Sequence, residues 1–267
     1  MQQQKSQTLL KTFKGDLDTF ISKLKERDNF TFSRFSDGEL YILKNQELVL
    51  SEEGTFCNDH DYKVIYPHRD YKEFHPETEG FYRDKLVEAF RHTSPEYYKG
   101  ITCRCCGGDE NFDWQVEFMG EGEHNLSWAN LWVNANYKYF VEEFIPILQD
   151  RKIILVSHED ADLEKAPFPI VKHFPIGRNC LVNNYSIIKE MKEYITQNSI
   201  KNHVFLFSAA SLSNILCHQL SVHAPENTYI DIGTTLHGYL GFELQRAYLQ
   251  GYWLRQPNEF SEKVCIW

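Results

Sequence analysis

Several common features are missing from this chain, and each absence excludes a class of protein. No apolar run approaches the ~18 residues that a membrane-spanning helix needs. The start of the sequence also lacks the basic, apolar and small-residue pattern of a secretory signal, so we expect a soluble, cytoplasmic protein. Neither a G-x-G-x-x-G nor a Walker pattern occurs, which excludes the common glycine-rich phosphate-binding loops.

Basic residues are few relative to acidic ones. The 267 residues include 28 Lys and Arg but 38 Asp and Glu, and the formal net charge is -10. Such a surface repels polyanions, so nucleic acid is not an expected partner. A small anionic substrate requires a metal ion, or a few local Arg and Lys residues, to reverse the sign of the charge inside one pocket.

A complete disulfide framework is also missing, because the chain has seven cysteines. Three of them crowd into "CRCC" at 103–106, where Cys103 and Cys106 have the spacing of a zinc-ligand pair. A structural zinc site needs four ligands, and no second C-x-x-C or H-x-x-x-H pair is present. The sequence therefore favours reduced, buried or loop thiols over a zinc site.

What is present indicates an α/β protein with a core of ordinary size, since 42% of residues are hydrophobic. Strand-like and helix-like segments alternate through the second half, which predicts a Rossmann-like, mostly parallel sheet flanked by helices. The predicted helices lie at 16–27, at 39–44, around 82–90, at 137–145, at 183–196 and at 212–221. The predicted strands lie at 29–35, 152–157, 203–208 and 228–233.

The middle of the chain fits this pattern poorly. Residues 51–78 predict a loop with a short strand at 62–67, and 99–114 break the periodicity with paired glycines. We interpret 1–267 as one domain in which about 51–133 form an irregular Cys- and Trp-containing insertion, a lid or acceptor region. Trp128 and Trp132 have i, i+4 spacing, which predicts packed core residues on one helical face, with sugar stacking as the alternative.

The stretch "SRFSDGEL" at 33–40 has two interpretations. Ser36 and Glu39 form an S-x-x-E capping box, which indicates only the start of a helix. Asp37 and Glu39 also lie just after a predicted strand, at the end of the sheet where α/β proteins bind ligands. Two carboxylates on such a turn can hold Mg²⁺ or Mn²⁺. Spacing alone favours the cap.

A second turn has small residues after a predicted strand. Ser208, Ala209, Ala210 and Ser211 permit close backbone approach to a phosphate or ribose, and the following helix directs its amides toward them. The alternative is that Ser211 or Ser213 only caps that helix.

Four segments resemble the GT-D type glycosyltransferases, a family formerly described as a domain of unknown function. "FSRFSDGEL", "IILVSHED…VKHFPIGRNCLVNNYSIIKEM", "FLFSAASLSNILCHQL" and "YIDIGTTLHGY" occur in the order and approximate spacing of that family. The resemblance covers about 30–45 and 150–240. It implies transfer of a sugar from a nucleotide-diphosphate donor, with UDP as the first candidate, and a divalent metal at the D-x-E acids.

The resemblance also implies roles for individual residues. Asp37 and Glu39 match the metal-associated acids, and the arginine of the family's motif matches Arg34, which we assign with Phe35 and Ser36 to donor binding. Residues 208–211 match the small-residue loop. Ser36 replaces a glycine of the family, and Thr234 and Leu236 stand where the family often has histidine and a second aspartate, so acceptor handling is expected to differ.

Three further residues are candidates with alternatives. Asp231 matches the late aspartate of the family and is the first candidate for the base, with His237 behind it. The alternatives are a turn aspartate and a surface histidine. Arg178 is a candidate for binding phosphate or a uracil-like edge, and the alternative is a solvated loop arginine.

The leading hypothesis is therefore a metal-dependent glycosyltransferase that uses Mn²⁺ or Mg²⁺, a nucleotide-sugar donor and a glycan acceptor. The alternatives are another Rossmann-like nucleotide-dependent enzyme, or a non-catalytic carbohydrate-binding or assembly protein. The sequence leaves the donor sugar, the acceptor, the stereochemical outcome and homo-oligomerisation open.

Overall fold

Short buried strands alternate with helices along most of the chain, as the apolar pattern predicts. A computed structural model describes residues 13–57, 60–62, 68–259 and 261–265. The strands are β1 (Thr31–Phe35), β2 (Leu48–Ser51), β3 (Gly54–Cys57), β4 (His60–Tyr62), β5 (Lys72–Phe74), β6 (Tyr97–Ile101), β7 (Asn125–Trp128), β8 (Ile153–His158), β9 (Ile170–Ile176), β10 (Val204–Phe207) and β11 (Thr228–Asp231). The helices are α1 (Phe13–Glu26), α2 (Asp37–Leu43), α3 (Pro76–Arg91), α4 (Arg104–Phe118), α5 (137–148, with a π-helical turn in its middle), α6 (Cys180–Asn183), α7 (Ile187–Gln197), α8 (Leu212–His223) and α9 (Ala247–Trp253).

Seven strands form one parallel sheet in the order β7-β6-β1-β11-β10-β8-β9. The central strand β11 and its neighbour β10 are buried at every position, which is typical of a parallel sheet with helices on both faces. The predicted fold class, a Rossmann-like α/β fold with a mostly parallel sheet, is confirmed.

Aromatic side chains of β1 pack on both faces of the sheet. Phe32 lies against Phe20 of α1 and Trp132, with ring centroids 5.1 and 5.2 Å apart. Phe35 packs on the other face against Phe90 of α3 at 4.8 Å. All four phenylalanines are at most 1% exposed. This double burial holds the end of β1 rigidly, so the turn that follows it has a well-defined position.

The interpretation of 51–133 as an irregular insertion was wrong for its second half. β6 and β7 pair beside β1 as strands of the main sheet, and α4 occupies most of the stretch that breaks the periodicity. Gly108 within α4 has φ +80, which explains why no helical period is visible there. Trp128 and Trp132 are buried as predicted, but Trp128 lies in β7 and not on a helix.

The predicted loop at 51–78 was wrong at β3, β4 and β5, which with β2 form a second, antiparallel sheet in the order β4-β3-β2-β5. Its strands have only three or four residues each, too few for alternation to be read from the sequence. The strand predicted at 62–67 falls mostly on 63–67, outside the described residues. Among the described helices, none combines the length and apolar character that crossing a bilayer requires.

Candidate functional site

The turns after β1, β10 and β11 meet at one cleft of about 740 Å³. These three strands are neighbours in the sheet and parallel, so their carboxyl ends lie at the same edge. The cleft brings together most of the residues singled out from the sequence: Arg34, Ser36, Asp37, Glu39, Ser208, Ala209, Ala210, Ser211, Asp231 and His237.

The turn after β1 contains the predicted capping box, and both carboxylate oxygens of Glu39 accept hydrogen bonds there. Its Oε2 accepts the backbone N–H of Ser36 at 3.0 Å, and its Oε1 accepts the hydroxyl of Ser211 at 2.8 Å. Asp37 is exposed on the cleft, and its Oδ1 accepts the Ser36 hydroxyl at 3.0 Å and the Gly38 N–H at 3.1 Å. Asp37 is therefore the carboxylate of this turn that a ligand can reach more easily.

The turn after β10 has the tight backbone that its small residues permit. Ala210 has φ +43, a left-handed conformation, and the Ser213 hydroxyl accepts the N–H of Ala209 at 3.0 Å. Ser211 precedes α8 but donates its hydroxyl to Glu39 instead of accepting an amide of its own helix. The serine loop and the D-x-E turn are thus joined directly.

Asp231 ends β11 as a buried carboxylate, with 5% of its surface exposed. Its Oδ1 accepts the N–H of Gly233 at 3.0 Å, and its Oδ2 accepts the N–H of Arg34 at 3.3 Å. Burial raises the pKa of Asp231 to about 7, while Arg34 opposes this rise and the nearby Glu39 adds to it. Asp231 can therefore take up or release a proton near neutral pH.

Arg34 is held in place from several sides. Its Nε donates to the carbonyl of Ala129 at 2.6 Å, and its own carbonyl accepts the side-chain amide of Asn214 at 2.5 Å. Gly233 has φ +52, and a Cβ there would lie 2.0 Å from Nη1 of Arg34. Only glycine leaves room for the guanidinium at this position.

His237 lines the cleft but is buried, with 7% of its surface exposed, so the surface-histidine alternative is wrong. Burial, together with the positive charges of Arg69 and Arg246, lowers the pKa of His237 to about 3. Its ring lies 4.9 Å from that of Phe242. His237 is therefore neutral at pH 7 and a weaker base than Asp231.

Two predicted donor-binding residues do not have side chains in the cleft. Phe35 is fully buried against Phe90, so this turn presents only the backbone at that position. Arg178 is exposed and contacts His68, Nη1 to Nε2 at 2.6 Å, in a neighbouring cavity of about 340 Å³. The order of turns in the sequence could not distinguish these two cavities.

Sequence reasoning missed a second wall of the cleft, formed by residues 68–74 and Arg246, which carries cations. The Nζ of Lys72 lies 3.0 Å from where a Cβ on Gly38 would be, beside the D-x-E turn. Arg246 pairs with Asp70 at 3.6 Å, and the guanidinium of Arg69 lies 4.8 Å from the Phe242 ring centroid. No periodicity or motif in the sequence indicates a role for these residues, and 68–74 was therefore interpreted as part of a loop.

Charges of the two signs balance within the cleft, although the chain as a whole is strongly acidic. Five cationic side chains line it, and so do five carboxylates. The cations are Arg34, Lys44, Arg69, Lys72 and Arg246, and the carboxylates are Asp37, Glu39, Asp70, Glu73 and Asp231. The cleft is therefore much less repulsive to an anionic ligand than the rest of the surface.

Thr234 and Leu236 mark where the chain departs from the GT-D pattern. The Thr234 hydroxyl lies 2.5 Å from the hydroxyl of Tyr248, which also lines the cleft. Leu236 is buried, with 1% of its surface exposed. This part of the cleft therefore presents a threonine–tyrosine pair where the family often has ionisable groups.

Two solved structures share this arrangement of strands and helices. One is a domain of unknown function 1792 described as having a distinct glycosyltransferase fold, with a TM-score of 0.52, 12% identity, and coverage of 92% of this chain and 82% of that one. The chain has this glycosyltransferase fold. The second is the selenomethionine-substituted structure of domain 1792, with a TM-score of 0.52, 11% identity, and coverage of 92% and 87%.

The resemblance to the GT-D type is thereby confirmed at the level of the glycosyltransferase fold. The sequence matches no protein-family model and no curated protein. Identities of 11–12% carry the architecture of the fold alone, so roles for individual residues depend on the geometry of this cleft.

The chemistry of the cleft fits a divalent cation held jointly by protein and substrate. Asp37 offers an exposed carboxylate, whereas both oxygens of Glu39 already accept hydrogen bonds. Within the described part of the chain, no three carboxylates of the cleft converge on one point. Mg²⁺ and Mn²⁺ are commonly bound in this way, by one or two carboxylates together with substrate phosphates and water.

Proposed function

We propose that the protein is a metal-dependent glycosyltransferase that transfers a sugar from a nucleotide-diphosphate sugar, first of all a UDP-sugar, to a glycan or glycoconjugate hydroxyl. The observation that carries this proposal is the convergence of three adjacent strand ends on one cleft. There an exposed carboxylate, Asp37, a buried carboxylate of raised pKa, Asp231, and a fixed guanidinium, Arg34, lie together. The shared glycosyltransferase fold supports it.

The diphosphate of the donor would occupy the region between the serine loop and the cationic wall. Arg34 and Lys72 offer positive charge, and the turn at Ser208 permits close backbone approach. The ion would be held by Asp37, with Glu39 behind it as the residue that fixes the turn. When bound, it would neutralise charge that develops on the diphosphate as the bond to the sugar breaks.

Asp231 would accept the proton of the acceptor hydroxyl as that oxygen forms its bond to the anomeric carbon. A pKa of about 7 suits this task, because the carboxylate is substantially ionised at neutral pH and still basic enough to bind the proton. Its two backbone N–H donors, from Arg34 and Gly233, hold it in one orientation. His237 remains a second candidate, acting as a neutral ring.

A ligand screen distinguishes this proposal from the alternatives. The melting temperature is measured with UDP, GDP, CMP, NAD and S-adenosylmethionine, each with and without Mn²⁺, because a ligand that binds the native state raises it. Stabilisation by a nucleoside diphosphate only with Mn²⁺ supports the proposal. Stabilisation by NAD or S-adenosylmethionine instead would indicate another nucleotide-dependent enzyme.

Turnover decides between an enzyme and a binding protein. Release of the nucleoside diphosphate from its sugar, with and without candidate glycan acceptors, is followed with the wild-type chain. Metal-dependent release that Asp231→Asn abolishes would support a transferase. Donor binding without any release across the acceptors would support a non-catalytic carbohydrate-binding or assembly protein.

A further inference from the structure

Four cysteines converge beside the cleft, although the sequence favoured reduced, buried or loop thiols over a zinc site. Cys103, Cys105 and Cys106 lie at the start of α4, and Cys265 approaches them from a segment 159 residues later. The Sγ atoms are 3.3 Å apart for Cys103 and Cys105, 3.9 Å for Cys105 and Cys106, and 3.7 Å for Cys106 and Cys265. All four lie within 4.8 Å of one another.

These distances match one metal geometry. A tetrahedral zinc with Zn–S bonds of about 2.3 Å places its sulfur ligands about 3.8 Å from each other. The three distances above scatter around that value. An iron–sulfur cluster needs its cysteine sulfurs further apart, because several iron atoms lie between them. None of the four takes part in a disulfide, so no S–S bond accounts for the convergence.

We propose that Cys103, Cys105, Cys106 and Cys265 form a zinc site with four thiolate ligands. The fourth ligand is the one that the sequence alone could not supply, because Cys265 belongs to no C-x-x-C pair. Four protein ligands leave no position for water or substrate, so the site is structural and not catalytic.

The surroundings of the cluster suit bound thiolates. The side-chain amide of Asn130 donates to Sγ of Cys106 at 3.4 Å and to Sγ of Cys265 at 3.7 Å. The ammonium of Lys263 donates to the carbonyl of Cys105 at 2.8 Å and brings a positive charge close to the sulfurs. N–H donors and a nearby cation offset the excess negative charge that four thiolates leave on a Zn²⁺ ion.

The site would fasten one wall of the cleft. Cys106 and Asn130 both line it, and the neighbouring carbonyl of Ala129 accepts the Nε of Arg34. A zinc ion here would join the segment around Cys265 to α4 and to the turn after β7. This role is independent of which donor or acceptor the cleft binds.

Metal content of the full chain tests the site directly. The protein is produced without a metal-binding tag, purified in reducing buffer without added metal, and analysed for zinc by mass spectrometry. We expect about one zinc per chain, and at least a tenfold lower content in Cys265→Ser and Cys106→Ser. Cys180→Ala is the matched control, since that buried thiol donates to the carbonyl of Ala209, outside the cluster, and zinc should be retained.

Cobalt provides a readout that misfolding of a variant cannot imitate. Co²⁺ added to the metal-free wild-type chain should give the sulfur-to-metal charge-transfer bands and intense visible bands of a tetrahedral thiolate site. Asn130→Ala keeps all four sulfurs and should bind Co²⁺ about tenfold more weakly, because it removes only the donor to two of them.

Three outcomes would overturn the zinc site. The first is a reduced wild-type chain that contains no zinc and gives no thiolate bands with Co²⁺. The second is Cys265→Ser with undiminished zinc. The third is a disulfide between two of the four cysteines, found by peptide mapping in protein kept under reducing conditions. None of these outcomes depends on glycosyltransferase activity.

Discussion

The two walls of the cleft are built in different ways. The wall formed by the ends of β1, β10 and β11 is closely hydrogen-bonded, and two of its carboxylates, Asp231 and Glu39, are at most 8% exposed, whereas Asp37 is exposed. The second wall, from 68–74 and Arg246, carries mostly partly exposed charges on short elements. We call the first the rigid wall and the second the adaptable wall. In the proposed function the reacting groups lie on the rigid wall, and the charges that would meet the substrate lie on the adaptable wall.

Replacement of Asp231 should have the largest effect on the rigid wall. Asp231→Asn keeps the shape of the side chain but removes the base, and we expect turnover to fall about 10²- to 10⁴-fold. In the wild type, activity should rise with pH through the pKa of about 7, since only the ionised carboxylate accepts a proton. The measurement is the pH profile of nucleoside diphosphate release.

His237→Gln serves as the comparison for that profile. A histidine whose pKa lies at about 3 cannot produce a rise near pH 7, so this variant should keep the wild-type profile even if its rate falls. If Asp231→Asn kept the wild-type rate and pH profile, or if His237→Gln lost the rise in activity near pH 7, Asp231 would not be the base.

The same carboxyl links pH to folding stability. Between about pH 4 and 7 the native state keeps the proton on Asp231 while the unfolded chain has lost it, so stability falls as pH rises through that window. Asp231→Asn should therefore lose less stability between pH 5 and 8 than the wild type does. Urea unfolding at the two pH values measures the difference, and equal losses would contradict the raised pKa.

Asp37→Ala should have the next largest effect, a fall of about 100-fold in turnover, with a higher Mn²⁺ concentration needed for half-maximal rate. The reason is that Asp37 is the exposed carboxylate proposed to hold the ion. Titration of activity with Mn²⁺ checks this. Asp84→Ala, which removes an exposed carboxylate of α3, is the control and should behave as wild type. If the Mn²⁺ dependence of Asp37→Ala matched that of the wild type, Asp37 would not be a ligand of the ion.

Gly233→Ala tests how closely the rigid wall is packed. The added Cβ would meet Nη1 of Arg34, and the residue would also have to keep φ +52. We expect turnover to fall about tenfold and stability to fall by about 1–2 kcal/mol. Gly80→Ala is the matched control, because a Cβ there meets no atom within 4 Å and no stability should be lost. Wild-type kinetics in Gly233→Ala would show that the position of Arg34 does not matter.

The adaptable wall should respond least. Lys72→Ala should raise KM for the donor about threefold to fivefold at low salt with little change in kcat, because Lys72 offers charge to the substrate without reacting. Lys165→Ala, which removes an exposed lysine paired with Asp162, should change neither constant. Initial rates over a range of donor concentrations separate the two parameters. A large fall in kcat for Lys72→Ala would show that Lys72 takes part in the chemical step and does not only bind the donor.

The same contrast explains what could be predicted from the sequence. β1 and the start of α2 are encoded by neighbouring residues, through aromatic strand residues and a capping box, so their positions were readable. Strand–helix alternation gave β8, β10 and β11 of the main sheet, whereas β6, β7 and β9 were not predicted. The adaptable wall depends on strands of three or four residues whose pairing is set by tertiary contacts, which leave no local pattern.

Contacts between residues far apart in the chain could also not be predicted from the sequence. Nothing near Glu39 indicates that its second oxygen accepts from Ser211, 172 positions later. The raised pKa of Asp231 depends on its burial within the fold and on the nearby Glu39, which lies far from it in the sequence. The proposed role of Cys265 likewise depends on its contact with Cys106 of α4, which lies 159 positions earlier in the chain.

The bridge from Ser36 through Glu39 to Ser211 also has a mechanical consequence. One carboxylate joins the segment that opens α2 to the segment that opens α8, so neither can shift without straining or breaking one of its two hydrogen bonds. A ligand that displaces the D-x-E turn would therefore pull on the serine loop as well. Occupation of either turn would be transmitted to the other, so the binding of ligands at the two turns would be thermodynamically coupled.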